Sequence, residues 1–333
     1  MLGGEAEVRV VAAQLTARAP DVGIYEVYDG VRYDLCLRED LATYFADVAA
    51  RWPGRCVVRV HEYQLTDACG YAARTSDDGI VVETLPGMFG GFWAEGLQPT
   101  VYHIEPGALD AACAERVALV DRLVTLDRAT LAPTLVRLEP AQPHRLAPAV
   151  RAQVARLCTQ LTQALGEVRI EWVLCGEQVQ FFDLSEESRP LFEASPAMQV
   201  LSAGVAAGPS CILAQIDTFD TIFDDFVNQI DVLPSEGFAR IRDSAACKLA
   251  VERVLGSRRR PIVVAEYPKR TLAVLLDDVA GFVFERGSLL CHLAIILRER
   301  GIPAVILGDA RAELSRATQI YIEHSQVLSI SEE

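Results

Sequence analysis

One histidine and one pair of acids are the groups in this chain whose types and spacing point to chemistry. His292 lies in "GSLLCHLAIILRERGIPAVIL", Gly287 to Leu307, where a loop of small residues turns into an apolar helix beginning near Cys291. A ring at a helix amino terminus stands among backbone N–H groups that lack intrahelical acceptors, at the positive end of the helix dipole, so an anion beside it is favoured. A phosphoryl group carried on that ring would be stabilised by the same groups. The pattern leaves open a packed or exposed structural histidine. Cys291 adds no Cys–His nucleophile, because neighbours in sequence do not face each other on a helix.

The acid pair comes from "EVRIEWVLCGEQVQFFDLS", Glu167 to Ser185, two β-rich runs around a turn at Cys175 to Glu177. Centring the hairpin near Glu177 sets Glu171 opposite Asp183 with both side chains on one face. Facing like charges destabilise a strand pair unless something compensates. Hard oxygen ligands suit Mg2+, which would compensate them. Two solvent-facing carboxylates on an edge hairpin fit the same pattern.

Several elements must position these groups. "GIYEVYDGVRYDLCL" and "GYAARTSDDGIVVETL" each place an Asp-Gly pair between β-rich runs, the strongest short hairpin signal. "REDLATYFADVAARW" has apolar residues at helical spacing, and "RCVVRVHEYQL" reads as a strand. "PGMFGGFWAEGLQPTVYHIE" mixes glycines and aromatics, as a loop lying close to a ligand or another backbone would. The pattern from Pro106 to Leu165 predicts helix. "GVAAGPS" marks a domain boundary near residues 195–210, and "QIDTFDTIFDDFVNQIDVLPSEGF" reads as an amphipathic connecting segment. Beyond it, "PIVVAEY", "VAGFVFE", "IPAVIL" and "QIYIEH" alternate with helical stretches, which predicts a compact α/β unit.

Bulk properties set outer limits. A chain of 333 residues with 51% apolar content can fill two cores. Its formal charge of -15 repels a phosphate backbone, and the basic run at Ser257 to Pro261 is too short to offset it, so no nucleic-acid partner is expected. No apolar run reaches membrane-span length and the amino terminus is acidic, which predicts a cytoplasmic protein with no membrane partner. Nine cysteines without a CxxC pair predict reduced thiols rather than zinc ligands or disulfides.

The stretch around His292 resembles the signature of the swivelling phosphohistidine domain of the phosphoenolpyruvate-utilising enzymes, a group that includes phosphoenolpyruvate synthase, pyruvate phosphate dikinase and rifampin phosphotransferase. The residues that match are Gly287, His292, Ala294, Ile295, Arg298, Gly301, Ile302, Pro303, Ala304 and Val305. Ser288 replaces the second glycine of the pattern, Leu290 its threonine and Cys291 its serine. "LSAGVAAGPS" and "VVAEYPKRTLAVLLDDVAGFVFERG" are similar to the segments that precede that loop. From about residue 55, "VVRVHEYQLTDACGYAAR", "VVETLPGMFGGFWAEGLQPTVYHIE" and "VRIEWVLCGEQVQFFDLSEESRP" look like consecutive parts of the same enzymes' ATP-grasp domain.

The resemblance implies an α/β chain: an α+β, ATP-grasp-like domain over 1–195, followed by a compact α/β phosphohistidine domain over 196–333. It also implies an ATP-dependent phosphotransferase of dikinase type that carries phosphate on His292. His61, Glu62 and Tyr63 would lie on the strand that contacts adenine, although His61 also fits an ordinary strand position. Glu171 and Asp183 would meet the nucleotide's Mg2+, and Arg189 would supply a displaced arginine of the family's Arg-Pro pair. His103, His144 and His324 match nothing and read as structural. Neither a triphosphate-holding glycine-rich stretch before residue 55 nor a barrel for phosphoenolpyruvate or pyruvate is found. The expected acceptor is therefore another small molecule, with a second polypeptide as the candidate that completes the ATP site. A phosphocarrier or regulatory subunit without its own ATP site, and a non-catalytic scaffold, remain the alternatives.

Overall fold

The computed structural model describes residues 7–12, 24–28, 33–51, 55–63, 65–76, 78–93, 95–105, 113–186, 199–213, 244–323 and 326–331. They divide into two compact units, one up to Leu65, joined by Leu126–Ala132, and one holding the rest.

In the first unit, β1 (Glu7–Ala12), β2 (Ile24–Tyr28), β3 (Tyr33–Leu37) and β4 (Arg55–Glu62) form a sheet in the order β1-β4-β2-β3, and α1 (Leu41–Arg51) carries Val48 into its core. β2 and β3 pair antiparallel with Tyr28 opposite Tyr33, the hairpin expected around Asp29-Gly30; the turn residues lie outside the described residues. β1 and β4 run parallel. Val27, Cys36, Val58 and Val60 close the core beneath Leu41, Tyr44 and Phe45.

The second unit holds two larger sheets. The first is antiparallel, built from β5 (Ala68–Arg74), β6 (Ile80–Pro86), β7 (Thr100–Ile104), β8 (Ala114–Arg116), β11 (Val168–Cys175) and β12 (Gln178–Glu186) in the order β12-β11-β5-β6-β7-β8. Helix α2 (Pro148–Leu165) lies on it, starting at a proline that needs no N–H partner and ending at Gly166. Val154, Ala155 and Cys158 of α2 pack against Ile170, Trp172 and Tyr102 of the sheet. The turn expected at Asp78-Gly79 joins β5 to β6, with Asp78 at a φ of 65°.

Residues 114–143 depart from the helix expected between Pro106 and Leu165. They form β8, then β9 (Leu119–Asp127) and β10 (Ala132–Pro143), which pair as a two-stranded sheet. Leu119, Val120, Leu123 and Val124 mimic helical spacing, but Val120, Val124 and Leu126 are buried and Arg122 half-buried, a period of two, while Leu119 is 71% exposed. Pro133, Pro140 and Pro143 remove the donors a helix would need. The glycine-rich segment that follows β6 does approach another backbone: Gly87, at a φ of 79°, leaves 2.3 Å between its would-be Cβ and the Val124 carbonyl.

The second sheet is mixed. β13 (Gln199–Ser202), β14 (Val205–Ile212), β15 (Ile262–Ala265), β16 (Gly281–Phe284), β17 (Ala304–Ile306), β18 (Ala317–Glu323) and β19 (Gln326–Ser331) lie in the order β13-β17-β16-β15-β14-β18-β19, with β14 to β17 parallel. Helices α3 (Ala245–Leu255) and α4 (His292–Arg300) and a 3-10 helix at Arg270–Leu275 accompany it. Parallel strands buried on both faces read as continuous apolar runs, as "PIVVAEY" and "VAGFVFE" do. The chain is thus mixed α/β. Among the described residues no helix is long and apolar enough to cross a membrane.

Gly70 of β5 sets the spacing beneath the site. A Cβ there would stand 1.9 Å from the Glu83 carbonyl oxygen and 2.7 Å from the Trp172 ring. Gly70→Ala therefore forces β6 or the indole to move, and the expected loss is roughly 3 kcal/mol or more, at the top of the overpacking range. Urea unfolding reads it, and an unchanged midpoint would contradict this packing.

Candidate functional site

His292 opens α4, with Cys291 as the extended residue before it. The helix stops at Gly301, which adopts the left-handed conformation (φ 63°), and the Ile302 N–H closes back on the Leu297 carbonyl at 2.9 Å. This explains the Gly-Ile-Pro that follows the helix. Arg298, buried, donates to the Leu289 carbonyl at 2.8 Å and to the Leu201 carbonyl at 3.1 Å, so the motif's arginine fastens the helix to the loop before it.

That loop, residues 285–291, is held from the antiparallel sheet. Gly287, at a φ of 142°, leaves 2.4 Å between its would-be Cβ and Pro268, and its N–H donates to Gln98 Oε1 at 3.2 Å. Glu83 of β6 is completely buried. Its carboxylate accepts from the Ser288 hydroxyl, from the Leu289 N–H at 2.8 Å and from the Leu290 N–H at 3.2 Å. Burial pushes the Glu83 pKa up, against those three donors and the nearby Arg116 charge. Arg169 of β11 completes the clamp, its Nη1 donating to the Leu290 carbonyl at 2.8 Å. One carboxylate and one guanidinium thus fix the two residues before Cys291.

The hairpin β11–β12 has the expected register at the acids: Glu171 pairs with Asp183. Its turn, Gly176-Glu177, is one residue shorter than the sequence pattern suggests, and Phe182, the extra residue of a bulge between Trp172–Phe181 and Glu171–Asp183, restores the offset. The compensating charge beside Glu171 is Arg169, whose Nη2 lies 2.7 Å from Glu171 Oε1 and 2.9 Å from Ser185 Oγ. Burial, with Asp183 adding to it, pushes the Glu171 pKa up against the Arg169 charge. Asp183 is exposed and accepts from the Leu184 N–H at 2.8 Å. Among the described residues, no group of three or more His, Cys, Asp and Glu side chains is gathered as a metal site.

Packing against the protein, with Arg270 and Arg169 adding positive charge, pushes the His292 pKa down from 6.5 to about 4. The residue is also exposed, and its open side counteracts the shift, so the midpoint belongs between about 4 and 6.5. Folded His292 binds fewer protons than unfolded chain in that window, so its contribution to stability is lost as pH falls through it. The expected result is a neutral, nucleophilic imidazole at pH 7, checked by an NMR titration of the His292 ring. A midpoint at or above 6.5 contradicts it. Cys291 is no competing nucleophile, because burial pushes its thiol up to about 11.

The structure brings His292, Glu171 and Asp183 into the second unit, with Arg169 and Arg270 as charged neighbours of the ring. His61 and Glu62 end β4 in the first unit, and the Tyr63 N–H donates to the Ile24 carbonyl at 2.8 Å. Arg189 and His324 lie outside the described residues. His103 lies in β7. His144 Nε2 lies 3.1 Å from Thr84 Oγ1, and burial lowers its pKa to about 4. Sequence reasoning missed Glu83, Arg169 and Arg270. A single acid in the apolar run "GIVVETL" was the available signal for Glu83.

Comparisons with known proteins bear on this site. Residues 258–326 match the family model described as PEP-utilising enzyme, mobile domain, a segment that includes His292 and all of its loop. No curated protein matches the chain. A solved structure titled "N-terminal domain of Enzyme 1 - Nitrogen" is 14% identical, with 39% of this chain and 91% of that one covered, at a TM-score of 0.26.

Proposed function

From a chain whose C-terminal part is the mobile domain of a PEP-utilising, phosphohistidine-carrying phosphotransfer family, we propose an ATP-dependent phosphotransferase of dikinase type that carries its phosphoryl group on His292. The observation that carries the reading is the place of His292, the first residue of α4 and inside the family match.

In the first step an imidazole nitrogen attacks the β-phosphorus of ATP, a P–N bond forms, and the P–O bond to AMP breaks with its electron pair leaving on oxygen; water then takes the terminal phosphoryl as inorganic phosphate and one phosphoryl stays on the ring. In the second, a hydroxyl of a small-molecule acceptor other than pyruvate attacks, the P–N bond breaks, and the acceptor's proton leaves to solvent. The positive charges of Arg169 and Arg270, with the α4 N–H groups, would stabilise the phosphoryl charge in place of the hydroxyls lost at Leu290 and Cys291. Glu171 and Asp183 would hold Mg2+, which when bound neutralises phosphate charge. The β4 end, His61 to Tyr63, would meet adenine, Arg189 would add a charge toward the phosphates, and a second polypeptide would complete the ATP site. The functional division would fall at residues 195/196, which lie outside the described residues, and the expected setting is cytoplasmic, without nucleic-acid or membrane partners.

One observation favours a phosphocarrier without its own ATP site: Glu171 is already paired with Arg169. Titrating the isolated chain with Mg-ATP separates the two. Saturable binding that weakens tenfold or more in Glu171→Gln is expected for the phosphotransferase. No binding at any nucleotide concentration, either by the chain alone or with lysate from its source added, assigns the carrier role.

A further inference from the structure

Arg169 of β11 is held from several sides at once. Its guanidinium lies over the face of the Tyr71 ring, 4.6 Å from the ring centre. Nη2 donates to Glu171 Oε1 at 2.7 Å and to Ser185 Oγ at 2.9 Å, while Nη1 donates to the Leu290 carbonyl at 2.8 Å. Strand register supplies the sheet partners: Ser185 of β12 stands opposite Arg169, and Tyr71 of β5 stands opposite Glu171. Tyr71, Glu171 and Ser185 therefore belong to the antiparallel sheet, and Leu290, two residues before His292, belongs to the loop. The Arg169 side chain is 4% exposed, so its charge is carried almost entirely by these contacts.

A buried guanidinium is costly unless it is paired, and its planar fork aims each donor only when the plane is fixed. Here different nitrogens serve the carboxylate and the carbonyl, so Glu171 does not compete with Leu290 for Arg169; it holds the fork at the angle from which Nη1 reaches the loop. We propose that Glu171 is a positioning residue for His292, acting through Arg169. The carboxylate sets the guanidinium, the guanidinium sets the Leu290 carbonyl, and that carbonyl sets where α4 begins. A group that draws the Glu171 carboxylate away from Arg169 therefore loosens the histidine loop, and by linkage the docked loop weakens that group's hold on Glu171 by the same factor. The relay requires neither phosphate on His292 nor a ligand on Glu171, so its failure would leave the phosphotransferase reading standing.

The test compares the full chain, without nucleotide or metal, with Glu171→Ala, Arg169→Lys and the double variant by amide hydrogen exchange. Leu290 is read against Val264 of β15, buried in the other sheet, because a merely structural loss speeds both equally. Glu171→Ala is expected to speed exchange at Leu290 about tenfold beyond any change at Val264. Arg169→Lys keeps the charge without the fork and should speed it at least as much. In the double variant, Glu171→Ala should add less than about twofold to Arg169→Lys, since the two act through one path. Leu290 exchange unchanged in Glu171→Ala, or effects that multiply in the double variant, overturns the proposal. Where either variant does not fold, Glu171→Gln decides: faster exchange at Leu290 with a shifted Arg169 Nε–H NMR signal supports the relay, and anything less overturns it.

Discussion

Glu83→Ala is expected to release the loop that precedes His292. The carboxylate is the shared acceptor of the Ser288 hydroxyl and the Leu289 and Leu290 N–H groups. Removing it leaves donors in a site closed to water, at ~1–3 kcal/mol for each one stranded, and a relaxed loop recovers that energy only by leaving the sheet. With the pull of Arg169 on the Leu290 carbonyl remaining, the net loss is about 3 kcal/mol. That figure corresponds to roughly a hundredfold fall in hydrogen-exchange protection at Leu289 and Leu290. Glu83→Gln keeps one acceptor oxygen and should fall between. Protection that stays at the wild-type level in Glu83→Ala would show that the loop holds itself. Where Glu83→Ala fails to fold, Ser288→Ala, which deletes one donor to Glu83 and one acceptor of the Leu290 N–H while that N–H keeps Glu83, reports the same coupling through a smaller change.

His292→Ala should eliminate phosphoryl incorporation. A general base can be replaced by solvent at a cost of ~100 to 10,000-fold, because proton transfer finds another route. A carrier cannot be replaced, since the P–N bond has no other atom on which to form. Cys291 does not substitute, as its thiol stays protonated near neutrality with a pKa of about 11. Residual incorporation in the range of a lost general base would therefore place the phosphoryl group elsewhere and leave His292 as a helix-corner residue.

Local pattern was readable and long-range partnership was not. The Glu171–Asp183 pairing followed from alternation and turn position alone, because strand register is a local property, and the bulge at Phe182 happened to restore the offset that the shorter turn removed. The loop-to-helix corner at His292 was equally local, fixed by Gly287 before it and Gly301 after it. Leu119 to Val124 misled because doubled apolar residues imitate a helical face, while the prolines beyond them carried the better signal. Glu83 shows the limit most plainly. An acid inside an apolar strand announces that it has a partner, but Ser288 lies 205 residues away and only tertiary packing brings the two together. Arg169 illustrates the same point for charge, since the compensation for facing carboxylates was argued from the pair and the guanidinium was two residues along the same strand.

The central claim is that His292 carries a phosphoryl group. Its most direct test is the intact mass of the purified chain after incubation with Mg-ATP, alone and with lysate from its source, recorded under neutral conditions beside His292→Ala. The account predicts a gain of one phosphate that mild acid removes and the variant never acquires. An unchanged mass under both conditions, or a gain that His292→Ala shares, would contradict it.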